Sequence, residues 1–170
     1  MIRRVATAGR PPLRALRRAF GGLVRPELAA ALREMRVETP NPLQADALPV
    51  ALRGDDLMVC AWTGPGKTLM FLLPFLQQLS ESAPAPSGAG VLRPEALVLV
   101  PTPELAGQIS TIAQRLAAAL PEPPVVAGLT DVASRPAGRA VGTRLLVTTP
   151  SALLRRLAGW RVQGDYVSRV

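Results

Sequence analysis

The run LMVCAWTGPGKTLMFLL, Leu57 to Leu73, allows few folds. Leu57 to Ala61 is short, continuous and apolar, as expected for a strand buried on both faces. Two glycines and a proline then break the chain. Lys67 to Leu79 reads as a helix opening directly behind the glycines. Pro74 falls inside that helix, where it should kink it or remove a backbone hydrogen bond.

The flanking sequence repeats the alternation. Pro26 followed by ELAAALREMR predicts a helix with proline at its first position and Leu28, Leu32 and Met35 on an apolar stripe. TPNP, Thr39 to Pro42, breaks the chain, and Leu43 to Leu52 predicts a second helix that Gly54 ends. Ser80 to Pro94 is a polar, Pro/Gly-rich loop. Ala96 to Val100 is a second buried strand, and Glu104 to Leu120 a helix with Leu105, Ile109, Ile112 and Leu116 on one side. Val125 to Ala127 and Leu145 to Thr148 are candidate third and fourth strands, and Ser151 is placed to cap a last short helix that Gly159 ends. Strands alternating with helices argue an α/β fold with a parallel sheet flanked by helices.

The turn at the centre of the opening run has chemistry of its own. Ala61 to Thr68, AWTGPGKT, fits the phosphate-loop pattern with alanine in place of its first glycine. Thr63, Gly64, Pro65 and Gly66 would bring backbone N–H groups around a phosphate, and the helix N-terminus adds its dipole. Lys67 would reach the outer phosphates, and the Thr68 hydroxyl would take a magnesium position. Taken without its context the segment is an ordinary Gly/Pro turn before a helix. Lys67 is the only lysine among 20 basic residues, and a compact point charge suits such a loop better than a guanidinium fork.

Composition removes other chemistries. There is no histidine, which excludes a histidine base, a histidine-ligated metal and a Ser-His-Asp triad. The single cysteine, Cys60, excludes an internal disulfide framework. No apolar run approaches the roughly 20 residues of a membrane span. The net charge of +8 is unevenly placed, because residues 1–20 hold six arginines and no acid, leaving +2 for the rest. An acid-free, arginine-rich start predicts an organellar transit peptide over residues 1–19, with mitochondria ahead of chloroplasts because Ser and Thr are scarce. A basic arm touching nucleic acid, which fits a nuclear or nucleolar protein, is the competing reading.

The segments around the loop then narrow the family. Glu38-Thr-Pro-Asn-Pro-Leu-Gln44, followed by AWTGPGKT, resembles the start of a DEAD-box RNA helicase. That resemblance implies a partial RecA-like domain over residues 20–159, with an irregular tail at 160–170. It makes Phe20 the adenine-stacking aromatic and Gln44 the glutamine that hydrogen-bonds the adenine edge. PTPELAGQ, Pro101 to Gln108, resembles a segment that grips the RNA backbone, which assigns Pro101, Thr102 and Glu104 to RNA. Gly128 stands where a Gly-Gly pair is expected, and Thr149 and Pro150 match a further RNA-facing segment. ATP and Mg2+ are the implied cofactors. RNA held by its backbone is the implied partner, with ribosome-assembly or RNA-processing proteins beside it.

Four departures from the pattern carry expectations. Pro65 removes one N–H that would point at phosphate. Pro103 and the Ser151-Ala152 pair each delete a cation facing the RNA backbone, so RNA binding should be weaker. None of the five aspartates follows an apolar strand run, so the carboxylate that orders magnesium and the attacking water is expected beyond Val170. The segment alone is therefore expected to grip ATP without hydrolysing it. It fits either part of a longer helicase or a truncated, non-catalytic binding isoform.

Overall fold

The computed structural model describes residues 3–5, 19–61, 66–83, 94–129 and 142–159. In chain order the elements are β1 (Arg3–Val5), a 3-10 turn (Phe20–Gly22), α1 (Pro26–Glu34), α2 (Pro42–Ala51), β2 (Leu57–Val59), α3 (Lys67–Glu81), β3 (Ala96–Leu99), α4 (Pro103–Ala117), β4 (Val125–Leu129), β5 (Thr143–Thr148) and α5 (Pro150–Gly159). The chain divides into two compact units, Met1–Pro84 with Ala113–Pro124, and Ala85–Ile112 with Val125–Val170.

In the first unit α1 buries Leu28 and Leu32, two residues of the stripe read from the sequence. The helix ends in a left-handed turn, with the Val37 amide donating to the Leu32 carbonyl and the Arg36 amide to the Arg33 carbonyl. Arg36 adopts φ 60 to close it, a conformation that favours glycine. Helix α2 buries Ala47 and Leu48 and packs against α3. Helix α3 runs unbroken from Lys67 to Glu81 through Pro74, its Leu72, Leu73 and Leu76 fully buried. The burial of that apolar face outweighs the hydrogen bond that Pro74 cannot donate.

Strand β2 is shorter than its apolar run predicts and is not buried on both faces: Met58 is 44% exposed. Its only strand partner among the described residues is β1, parallel, with Val5 opposite Val59. No strand was expected from the arginine-rich start, where periodicity is lost among the charges.

The second unit holds a parallel sheet of order β3-β5-β4. All six residues of the central strand β5 are buried, the pattern of a strand covered on both faces. The ladder between β4 and β5 slips after Val125, which opposes Thr143 while Val126 opposes Leu145. Arg144 is the extra residue of this bulge. Its guanidinium grips Glu95 through Nε to Oε1 at 2.5 Å and Nη2 to Oε2 at 2.9 Å, tying the start of β5 to the start of β3. The Glu95 amide completes the tie by donating to the Arg144 carbonyl at 2.9 Å.

Candidate functional site

The first unit assembles the nucleotide-type residues. Strand β2 leads through exposed Cys60 and Ala61 toward the loop, whose Thr63, Gly64 and Pro65 lie outside the described residues. Gly66 emerges at φ 117 and is the N-cap of α3, which therefore starts at Lys67. Among the described residues no side chain caps this helix start, the kind of helix end that suits an anion. Lys67 Nζ donates to the Ala61 carbonyl at 3.1 Å, which folds the ammonium back across the loop it follows. Thr68 is half-buried in the same turn. A left-handed glycine, an uncapped helix start and a lysine in its first turn form a cradle that fits a phosphate group.

A second element meets that cradle. Asn41 caps α2 with its Oδ1, accepting the Gln44 amide at 2.9 Å. Gln44 Oε1 in return accepts the Asn41 amide at 2.9 Å, closing a reciprocal capping box. The other end of the Gln44 side chain reaches the loop, where Nε2 donates to the Gly66 carbonyl at 2.9 Å. Gln44 is only 3% exposed, so these bonds replace water rather than compete with it. A carboxamide has two N–H bonds and two carbonyl lone pairs. One of each is used in the printed bonds of Gln44.

Gly66 adopts a backbone conformation that favours glycine. A Cβ there would sit 2.5 Å from Asn41 Nδ2 and 2.6 Å from Gln44 Nε2. Asn41 was not among the candidate residues read from the sequence, although the N-x-x-Q spacing before an apolar run is the signature that finds it. Phe20 is 1% exposed in the described structure.

The second unit collects the other candidates at one sheet edge. Strands β3 and β5 are parallel neighbours with Leu99 opposite Thr148, so the chain leaves both at the same end. Each then turns into a helix capped by threonine. Thr102 Oγ1 accepts the Leu105 amide at 3.3 Å, and Thr149 Oγ1 accepts the Ala152 amide at 3.2 Å. The cap of the last helix is thus Thr149, with Ser151 its hydroxyl partner at 3.2 Å, and not Ser151 as the sequence suggested. The reason is register: the helix begins at Pro150, a residue earlier than a Ser151 cap allows.

Pro101, Thr102, Glu104 and Pro150 are exposed on this edge, while Thr149 is buried. Gly128, on β4 opposite Val147, serves packing in the described structure. A Cβ there would land on Ser110 Oγ, which itself donates to the Ala106 carbonyl within α4. Among the described residues no group of His, Cys, Asp and Glu could hold a metal ion. None of the described helices is long and apolar enough to cross a membrane.

The chain was compared with known proteins. The DEAD/DEAH box helicase family model matches residues 41–170. The chain is 37% identical to "ATP-dependent rRNA helicase RRP3" of Pyricularia oryzae over 137 residues, covering 80% of this chain and 24% of that protein. It is 37% identical to "DEAD-box ATP-dependent RNA helicase 45" of Arabidopsis thaliana over 124 residues, covering 72% of this chain and 12% of that protein. Among solved structures, the RNA helicase Prp28 of Chaetomium thermophilum bound to ADP superposes with a TM-score of 0.65 at 31% identity. That match covers 91% of this chain and 36% of the other, and its likeness makes the α/β fold RecA-like. The chain spans about a quarter or less of the length of the curated relatives it matches.

Proposed function

The chain belongs to the DEAD/DEAH box helicase family, and from that premise we propose that it is the ATP-gripping, RNA-facing part of an RNA-unwinding enzyme. The observation that carries the nucleotide half is Gly66 at φ 117 opening an uncapped α3, with Lys67 in its first turn and Gln44 held against the loop. The α3 N–H groups bind phosphate oxygens, Lys67 neutralises the outer phosphates, and Gln44 reads the adenine edge with its spare N–H and lone pair. The described Phe20 must be uncovered before it can stack on the base. Magnesium bound with the nucleotide would neutralise phosphate charge, with the Thr68 hydroxyl among its oxygen donors.

For RNA, the exposed Thr102, Glu104 and Pro150 and the starts of α4 and α5 meet the sugar-phosphate backbone without reading bases. Pro103 and Ser151 leave this edge short of cations, so its hold is weak and little affected by salt. The arginine-rich start supports an organellar, mitochondrial setting, where ribosome assembly or RNA processing supplies the substrate.

Lys67→Ala tests the reading. We expect at least a tenfold loss of affinity for a fluorescent ATP analogue in an equilibrium titration, with the melting temperature unchanged. Equal affinity in the variant removes the phosphate-gripping role.

A further inference from the structure

Helices α1 and α2 begin with the same problem and solve it differently. The backbone N–H of an N-cap residue lies outside the helix ladder and needs an acceptor. In α2 the residue three positions on is Gln44, whose side chain accepts the Asn41 N–H at 2.9 Å. In α1 the N-cap is Arg25 and the corresponding residue is Leu28, fully buried and without an acceptor. The Arg25 N–H goes instead to Gln77 Oε1 at 3.3 Å, on α3 and 52 residues away. We propose that Gln77 is a positioning residue for the base side of the nucleotide site, holding the turn that carries Phe20 to the helix that begins at Lys67. This rests on the reading of the first unit as a nucleotide site.

Between Phe20 and Arg25 the chain has little slack. The Gly22 N–H donates to the Ala19 carbonyl at 2.9 Å, and Leu23 and Val24 donate to the Phe20 carbonyl at 2.8 and 2.9 Å. Arg25 comes next, and its carbonyl accepts the Ala29 N–H at 3.0 Å to open α1. Pro26 follows with no N–H to offer in its place. Arg25 therefore joins the wound turn before it, α1 after it and α3 through Gln77. Its guanidinium stays local, Nε lying 3.4 Å from Glu27 Oε2, so the tie to α3 is made by backbone.

The bond is part-buried, with the buried Val24 and Leu28 on one segment and the buried Leu76 on the other. Water does not fully replace an acceptor lost in such a place. The helix that holds the turn also brings Lys67 to the phosphates, so Gln77 sets the base-side turn in a fixed relation to the phosphate cradle. A small displacement between two halves of one ligand's site lowers affinity without unfolding either half.

The acceptor can be removed while the side chain stays. Gln77→Leu keeps the size and loses the oxygen, Gln77→Asn stays polar but is one methylene too short, and Gln77→Glu keeps an acceptor at the same reach. We expect the Leu and Asn variants to bind a ribose-labelled fluorescent ATP analogue about three- to tenfold more weakly, and the Glu variant to stay within about twofold of the parent chain. Inorganic tripolyphosphate, which competes for the phosphate cradle alone, should displace the analogue with an unchanged inhibition constant in all three. The exposed neighbour variant Gln78→Leu should match the parent throughout. Hydrogen exchange needs no nucleotide: the Arg25 amide should exchange about threefold or more faster in the Leu and Asn variants, and at the parent rate in the Glu variant. Parent-like ATP affinity in the Leu and Asn variants overturns the proposal. So does an equal loss of tripolyphosphate binding, which marks a general loosening of α3, or a Glu variant as weak as the Leu variant. If the parent chain binds no adenine nucleotide, the functional reading fails, and Arg25 exchange still decides whether Gln77 holds the turn.

Discussion

Single residues in this chain are constrained by backbone conformation as much as by side-chain chemistry. Arg36 sits at φ 60 because the turn that ends α1 needs a left-handed residue, and it bears the strain that glycine would not. Arg36→Gly is therefore expected to stabilise the chain by about 0.5–1 kcal/mol, read as a higher urea midpoint with unchanged slope. A fall in the midpoint would mean that the charge at the helix end matters more than the strain. Gly66 is the opposite case. Its φ of 117 is a conformation that favours glycine, and the sequence already has one there. Glu27 shows a milder local effect. Hydrogen bonding to its own backbone amide at the start of α1, and then the neighbouring Arg25 guanidinium in an ion pair at 3.4 Å, holds its carboxyl below the usual range. The lowered value means that its small contribution to stability is present above the ordinary glutamate range and fades as pH falls through it.

Between elements, close approach decides more than hydrophobic pattern. Helix α4 lies near enough to β4 that Ser110 Oγ occupies the place of a Gly128 side chain. Gly128→Ala should therefore cost about 1–3 kcal/mol in a denaturant titration, as overpacking against a backbone-anchored hydroxyl does. If the same variant is as stable as the parent, Ser110 has room to turn away and the contact is slack. Periodicity located α1, α3 and β5 well, because each buries a face whose spacing is written in consecutive residues. It misjudged β2, whose apolar run suggests two covered faces although Met58 is half exposed. It had no means of finding β1, a three-residue strand that exists only through its pairing with β2. The bulge at Arg144 was equally hidden, since it depends on Glu95 being across the sheet, 49 residues away.

For the whole molecule, charge is concentrated at the start of the sequence, away from the candidate residues along the chain. Six of the net positive charges lie within the first 20 residues, whereas the edge proposed to meet RNA has proline and serine at Pro103 and Ser151. If that N-terminal stretch touches RNA, replacing Arg10, Arg14, Arg17 and Arg18 by alanine, which leaves β1 in place, should lower the slope of log affinity against log salt by up to about 3 for single strands. Nucleotide affinity gives the comparison in the same samples. An unchanged slope would assign RNA contact to the capped starts of α4 and α5 alone, and leave the arginines to targeting. Amino-acid order and spacing were enough to place the helix that opens at Lys67, the threonines after β3 and β5, and the family, because those features are local and their chemistry follows from residue type. The amide pair on Gly66, the buried ring of Phe20 and the packing role of Gly128 were settled only by the tertiary structure. Each depends on groups tens of residues apart meeting within hydrogen-bond or van der Waals distance, and no local pattern records which groups those are.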